Sequence, residues 1–144
     1  MTTTETATTQ ADFLLTLASH EGSHPGLSPV NVIYPHHLQL RDTAPSVGYG
    51  LVEWADTLTE TSVEVLRIDE RAFVHIRGRI GEHPVVVWEV VPGLAHAMGA
   101  EAFTGTPSTA WITVEAFRAW VESEAVPEAG ERPADVPELA GIVS

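Results

Sequence analysis

Apolar and polar positions change period several times along the chain, and each change marks an element. From Ala11 to Ser19, Phe13, Leu14 and Leu17 recur at helical spacing behind Asp12, whose charge suits a helix N-terminus. A short amphipathic helix is predicted there, ended by Gly22, Pro25 and Gly26. Val30 to Leu40 alternates, with Val30, Val32, Tyr34, His36, Leu38 and Leu40 facing one way and Asn31, Ile33, Pro35, His37 and Gln39 the other. This reads as one strand with one buried face, and Pro35 argues for an edge position or a bulge.

After a loop with Pro45 and Gly48, Leu51, Trp54, Ala55 and Leu58 fall at i, i+3, i+4 and i+7, the stripe of a second helix. Three strand-like runs follow: Ser62 to Ile68, Arg71 to Ile80, and His83 to Val91. In the first, alternation slips between Val65 and Leu66, which predicts a bulge or a strand covered on both faces. In the second, Ala72, Val74, Ile76, Gly78 and Ile80 oppose Phe73, His75, Arg77 and Arg79. Asp69-Glu70 and Gly81-Glu82 are tight turns, the latter of a pattern that suits type II′, so the three runs form an antiparallel meander. A loose helix is expected over Leu94 to Phe103, then a loop through Gly105, Pro107 and Ser108. Thr113 is positioned to cap a last helix with the apolar stripe Val114, Phe117, Trp120 and Val121, where Glu115, Arg118 and Glu122 can pair along the surface.

The expected fold class is α+β: an antiparallel sheet, one strand and then a three-stranded meander, covered by helices in a single small domain with flexible termini. A Thr-rich stretch over residues 1–10 reads as a disordered leader, residues 11–124 as the domain, and residues 125–144 as an acidic, Pro-rich, mostly mobile tail. Leu139, Ile142 and Val143 could anchor that tail to the body.

Composition narrows the partners. Among 144 residues there is no lysine, and seven arginines face 20 Asp and Glu, a net charge of −13. Such a surface repels nucleic-acid backbones and anionic membranes, so direct binding to either is not expected. Richness in Ala, Val, Gly, Pro, Thr and Arg without lysine resembles codon bias in a GC-rich bacterial genome, which needs no functional cause. The start of the chain lacks the basic and apolar stretches of a signal peptide, and no apolar run spans a bilayer, so a cytoplasmic protein is expected. Without cysteine, disulfides, thiolate nucleophiles and Cys-containing metal sites are excluded.

His20-Glu21-Gly22-Ser23-His24 fits H-E-x-x-H, in which two imidazoles one helical turn apart hold zinc and the Glu deprotonates its water. The resemblance to zincins is confined to those five residues. Gly22 and Pro25 should break the turn that aligns the imidazoles, and the simpler reading is a polar helix end, with no metal and no cofactor. His37, His75 and His83 could form a surface cluster if the first strand lay beside the meander, whereas His36 shares an apolar face and suits a core role. Protonating all seven histidines would move the net charge from −13 to −6 (−13 + 7) in mild acid.

His75, Arg77 and Arg79, with Arg67 or Arg71 nearby, concentrate positive charge on an acidic chain, and guanidiniums at i and i+2 on a strand point the same way, as carboxylate or phosphate capture requires. The simpler reading is internal: pairing with cross-strand Glu64 and Glu89, or with the acidic tail. Trp54, Trp88 and Trp120 fall in apolar stripes, while Trp111 precedes the last helix, from which it could pack in the core or meet a ligand or second subunit. No phosphate loop or serine-nucleophile elbow occurs.

Three functions follow as expectations. The first is a non-enzymatic protein-interaction domain that binds another protein or a second copy as a homodimer, with His75, Arg77, Arg79 and Trp111 as the binding residues. The second is a DNA-mimicking inhibitor of a nucleic-acid-binding protein. The third is a small zinc-dependent hydrolase centred on His20, Glu21 and His24.

Overall fold

Helices gather on one face of a six-stranded sheet, so that a single apolar layer forms between them. The computed structural model describes residues 3–33, 36–40 and 48–133, with side chains in the first helix from residue 10 onward. In chain order the elements are α1 (Thr3–Ser23), β1 (Val30–Ile33), β2 (His37–Leu40), α2 (Tyr49–Thr57), β3 (Thr59–Ile68), β4 (Arg71–Ile80), β5 (His83–Val91), α3 (Leu94–Met98), β6 (Thr109–Ile112) and α4 (Val114–Ser123). The sheet order is β1-β2-β5-β4-β3-β6. The chain is thus a mixed α/β domain whose sheet is itself mixed, because β2 runs parallel to β5. That corrects the all-antiparallel expectation.

The meander forms as the alternation predicts, with β4 registered between β3 and β5. Asp69 and Glu70 both take positive φ (51° and 66°), the pair of left-handed conformations a type I′ turn needs, and Gly81 alone supplies φ 62° in the next hairpin. The irregularity in β3 falls between Thr59 and Ser62, not at Val65–Leu66. Leu66 points away from the helices and is nevertheless only 3% exposed, between Phe73 and Thr109 of the neighbouring strands.

One strand read across Val30 to Leu40 is two. β1 and β2 pair antiparallel, and His36, with φ 62°, reverses the chain before β2. Leu38 and Leu40 are buried in the core, whereas Val32 and Ile33 of the edge strand β1 are exposed. Tyr34 and Pro35 lie outside the described residues, as do the loop through Pro45 and the apolar residues Leu139, Ile142 and Val143.

The core cluster takes Phe13 and Leu17 from α1, Leu51, Trp54 and Ala55 from α2, Phe117 from α4, and the Val63, Val74, Ile76 and Val87 face of the sheet. α1 begins at Thr3, so most of the stretch expected as a disordered leader is helical here. Its Leu14 points outward. The expected helix over Leu94 to Phe103 is broken at Gly99 into α3 and a 3-10 turn, Ala100–Ala102. β6, where a loop was expected to lead into the last helix, extends the sheet beside β3. Thr113 caps α4 as predicted, its side chain accepting from the Ala116 N–H at 3.0 Å. Arg118 pairs with Asp56 across the α2–α4 contact, and that carboxylate raises its pKa above the ordinary guanidinium value. Beyond α4 the segment read as the start of a mobile tail returns to the body: Pro127 is buried and the Gly130 N–H donates to the Trp111 carbonyl at 2.6 Å. Among the described residues no helix is long and apolar enough to cross a membrane.

Candidate functional site

Strand alternation sends every second residue of the meander away from the helices, and register lines these residues up in rows. One row runs Trp111, Glu64, His75, Trp88, Gln39 and Asn31. The next runs Ser62, Arg77, Val86, His37 and Ile33. Leu66, Phe73 and Val90 form a third. Among the described residues, Leu66, Val86 and Trp111 are the buried apolar side chains that stand outside the core cluster, which marks this helix-free face as a second, separate packing layer.

Its centre is polar and buried. Arg77 and His75 are only 7% and 6% exposed, and His37, which approaches from β2 across the small Val86, is 7% exposed. The Arg77 guanidinium donates to Glu64 Oε1 at 3.0 Å and stands 6.0 Å from the centre of the Trp111 ring. Arg132, from the returning segment, lies 6.0 Å from that same ring. His75 stacks on Trp88 at 6.1 Å, and Phe73 packs against Trp88 at 6.2 Å with Arg71 over its own ring. Burial, then the Arg77 charge, then His37, push the His75 pKa down to about 4, against a Phe73 main-chain contact that favours the charged form. His37 is lowered by burial, Arg77 and His36 in that order. His75 Nδ1 and His37 Nε2 are buried without a hydrogen-bond partner, an uncommon state for polar atoms in a folded chain.

Of the four residues predicted to bind, His75, Arg77 and Trp111 therefore come together here. Arg79 shares the face but sits at its margin, held to Glu60 Oε2 at 2.6 Å and to the Glu82 carbonyl at 3.1 Å. The internal pairing weighed for Arg77 is present with Glu64. Glu89, the other proposed partner, projects to the helix side and accepts from the Gly48 N–H at 2.8 Å. Sequence reasoning did not assign Trp88, Phe73 or Arg132 to the site. The first two share alternation parity with His75 and Arg77 once register is known, but no local pattern places Arg132 over Trp111.

The expected histidine cluster divides. His37 and His75 share the helix-free face, while His83 bonds Asp12 of α1 at 2.7 Å and joins His36 and Phe13 in a separate aromatic group. In the H-E-x-x-H string, α1 continues to Ser23, so neither Gly22 nor Pro25 breaks it before that point. His20 and His24 lie side by side, ring centres 4.5 Å apart. Among the described residues no group of three or more His, Asp or Glu side chains converges as a metal site. Comparison with known protein families, curated proteins and solved structures yields no match.

Proposed function

We propose that the protein is a non-enzymatic interaction domain that receives an acidic segment of another protein on the helix-free face of its sheet. The observation that carries this reading is charge sorting. On a chain of net −13, Arg71, Arg77 and Arg79 of β4 and Arg132 of the returning segment all meet on this face, among Phe73, Trp88 and Trp111. A rim of cations over aromatic rings around a dry centre is the composition that protein-binding surfaces favour. Opposite charge would draw an acidic partner towards these arginines. Arg77, already bonded to Glu64, supports the centre, whereas the exposed Arg71 and the surface-paired Arg79 are the cations that a partner would engage.

The test uses a glutamate-rich peptide carrying one aromatic residue, with a lysine-rich peptide as control, added to the labelled full chain and followed by NMR. The acidic peptide should shift the signals of Phe73, Trp88, Trp111 and Arg71. Arg71→Glu with Arg79→Glu should abolish those shifts with little change in melting temperature, because both replaced groups sit at the surface. Shifts that favour the lysine-rich peptide, or that fall elsewhere on the molecule, would overturn the reading.

A further inference from the structure

We propose that His20 and His24 form a two-imidazole site for a late first-row transition-metal ion, copper(II) and nickel(II) in preference to zinc. The proposal is independent of the helix-free face and rests on where the protons of two rings must lie. Residues four apart on a helix present side chains to the same side, and here the two ring centres are 4.5 Å apart at an interplanar angle of 38°.

Hydrogen bonding assigns both tautomers. Thr57 gives its single hydroxyl proton to the Trp54 carbonyl at 2.8 Å, so towards His20 Nε2, 2.9 Å away, it can only accept. His20 therefore carries its proton on Nε2 and its lone pair on Nδ1. His24 Nδ1 lies 2.9 Å from the His20 carbonyl, which has no proton to give, so His24 carries its proton on Nδ1 and its lone pair on Nε2. Each neutral ring donates one N–H to an oxygen held by the fold and keeps the other nitrogen unprotonated. That is the supporting arrangement metal-bound histidines adopt, since the donated bond fixes both tautomer and ring direction. No described residue hydrogen-bonds to either lone-pair nitrogen.

The surroundings hold the rings in place. His20 stacks on Trp54 with centres 5.8 Å apart, and the Trp54 indole is itself tied to the Ser28 carbonyl at 2.9 Å. Both histidines line an open depression of about 450 Å³ together with Leu15, Ser19, Ser23 and Ile80. An ion has access from solvent, and the net charge of −13 attracts it. Since no group of three or more His, Asp or Glu among the described residues could hold a metal ion, water or an external donor would complete the coordination of the two ring nitrogens. A closed tetrahedral zinc site needs four protein ligands, so this half-built nitrogen site follows the general affinity order, in which copper(II) and nickel(II) stand above most other divalent ions of the row.

Calorimetric titration of the metal-stripped full chain near neutral pH with copper(II), nickel(II) or zinc ions tests this. We expect one copper ion per chain, copper bound more tightly than nickel or zinc, and a melting temperature raised by copper. His24→Gln should weaken copper binding by more than the roughly 100-fold that loss of a mere supporting contact can cost, and should remove the rise in melting temperature. His83→Gln, at the separate pair with His36, should leave both unchanged. Ring nitrogen NMR should show Nε2–H for His20 and Nδ1–H for His24, with zinc moving His20 Nδ1 and His24 Nε2. His24 is partly exposed, so its variant keeps the test open even where His20→Gln fails to fold. Wild-type copper affinity in His24→Gln, or the opposite tautomers, would overturn the proposal.

Discussion

Arg77 and Glu64 have side chains only 9% and 12% exposed, so each depends on the other to offset the loss of water. Removing Arg77 leaves the Glu64 carboxylate in a buried layer without this cation. Arg77→Ala should therefore lower unfolding free energy by about 3 kcal/mol in urea titrations, whereas Arg77→Met with Glu64→Leu should recover most of it. An equal loss in the double variant would show that the pair is not the cause. His75 responds to pH for a related reason. Its folded pKa of about 4 lies below the unfolded value near 6.5, so between those limits the unfolded chain binds more protons. Stability from this group is complete above about pH 6.5 and falls as pH drops, by on the order of 3 kcal/mol once pH reaches about 4. Comparison of urea midpoints at neutral pH and about pH 4.5 should show a steeper acid loss in wild type than in His75→Phe, which keeps a ring against Trp88 without the proton site. Parallel losses in the two proteins would remove His75 from the account.

Elements with several repeats of their own period were legible without a structure. The meander shows period two across three runs with turn residues between them, and α4 declares itself through Thr113 and its apolar stripe. Thr113→Ala should cost about 1 kcal/mol in thermal or urea unfolding, since one N–H of the first turn loses its acceptor. Short elements were not legible. β6 has four residues, too few to establish a period, and exists because its Ala110, Trp111 and Ile112 find β3. β1 and β2 together mimic one alternating strand, yet they pair antiparallel, with a left-handed backbone at His36 just before β2. Gly78 belongs to this scale too. Read as an ordinary strand position, it lies where a Cβ would stand 3.0 Å from Leu58 Cβ and 3.1 Å from the Thr59 carbonyl, beside the irregularity in β3. Gly78→Ala should destabilise by about 1–3 kcal/mol, a cost that unfolding midpoints will report.

Charge is the property of the whole molecule that folding changes most. From composition alone, mild acid carries the net charge towards −6. Burial lowers the pKa of His20, His36, His37 and His75, helped in each case by a neighbouring cation or histidine, so these rings stay neutral further into acid. Electrophoretic mobility of the native chain at about pH 5.5 should thus correspond to a charge more negative than −6 (−13 + 7), while the urea-unfolded chain takes up more protons at the same pH. Equal proton uptake in both states would contradict the lowered pKa values of these buried and half-buried histidines.

By itself the amino-acid order determined the net charge, the absence of thiol chemistry, the meander, the capped last helix and the cluster of histidine and arginine on β4, because each is a matter of composition or of neighbours within a few positions. Only the tertiary structure decided that β2 joins the sheet in parallel, that all helices take the same side, and that on the other side Trp111 and His37 meet Arg77 while Arg132 meets Trp111. Those contacts join residues far apart in the chain, and no local period carries the register that brings them together.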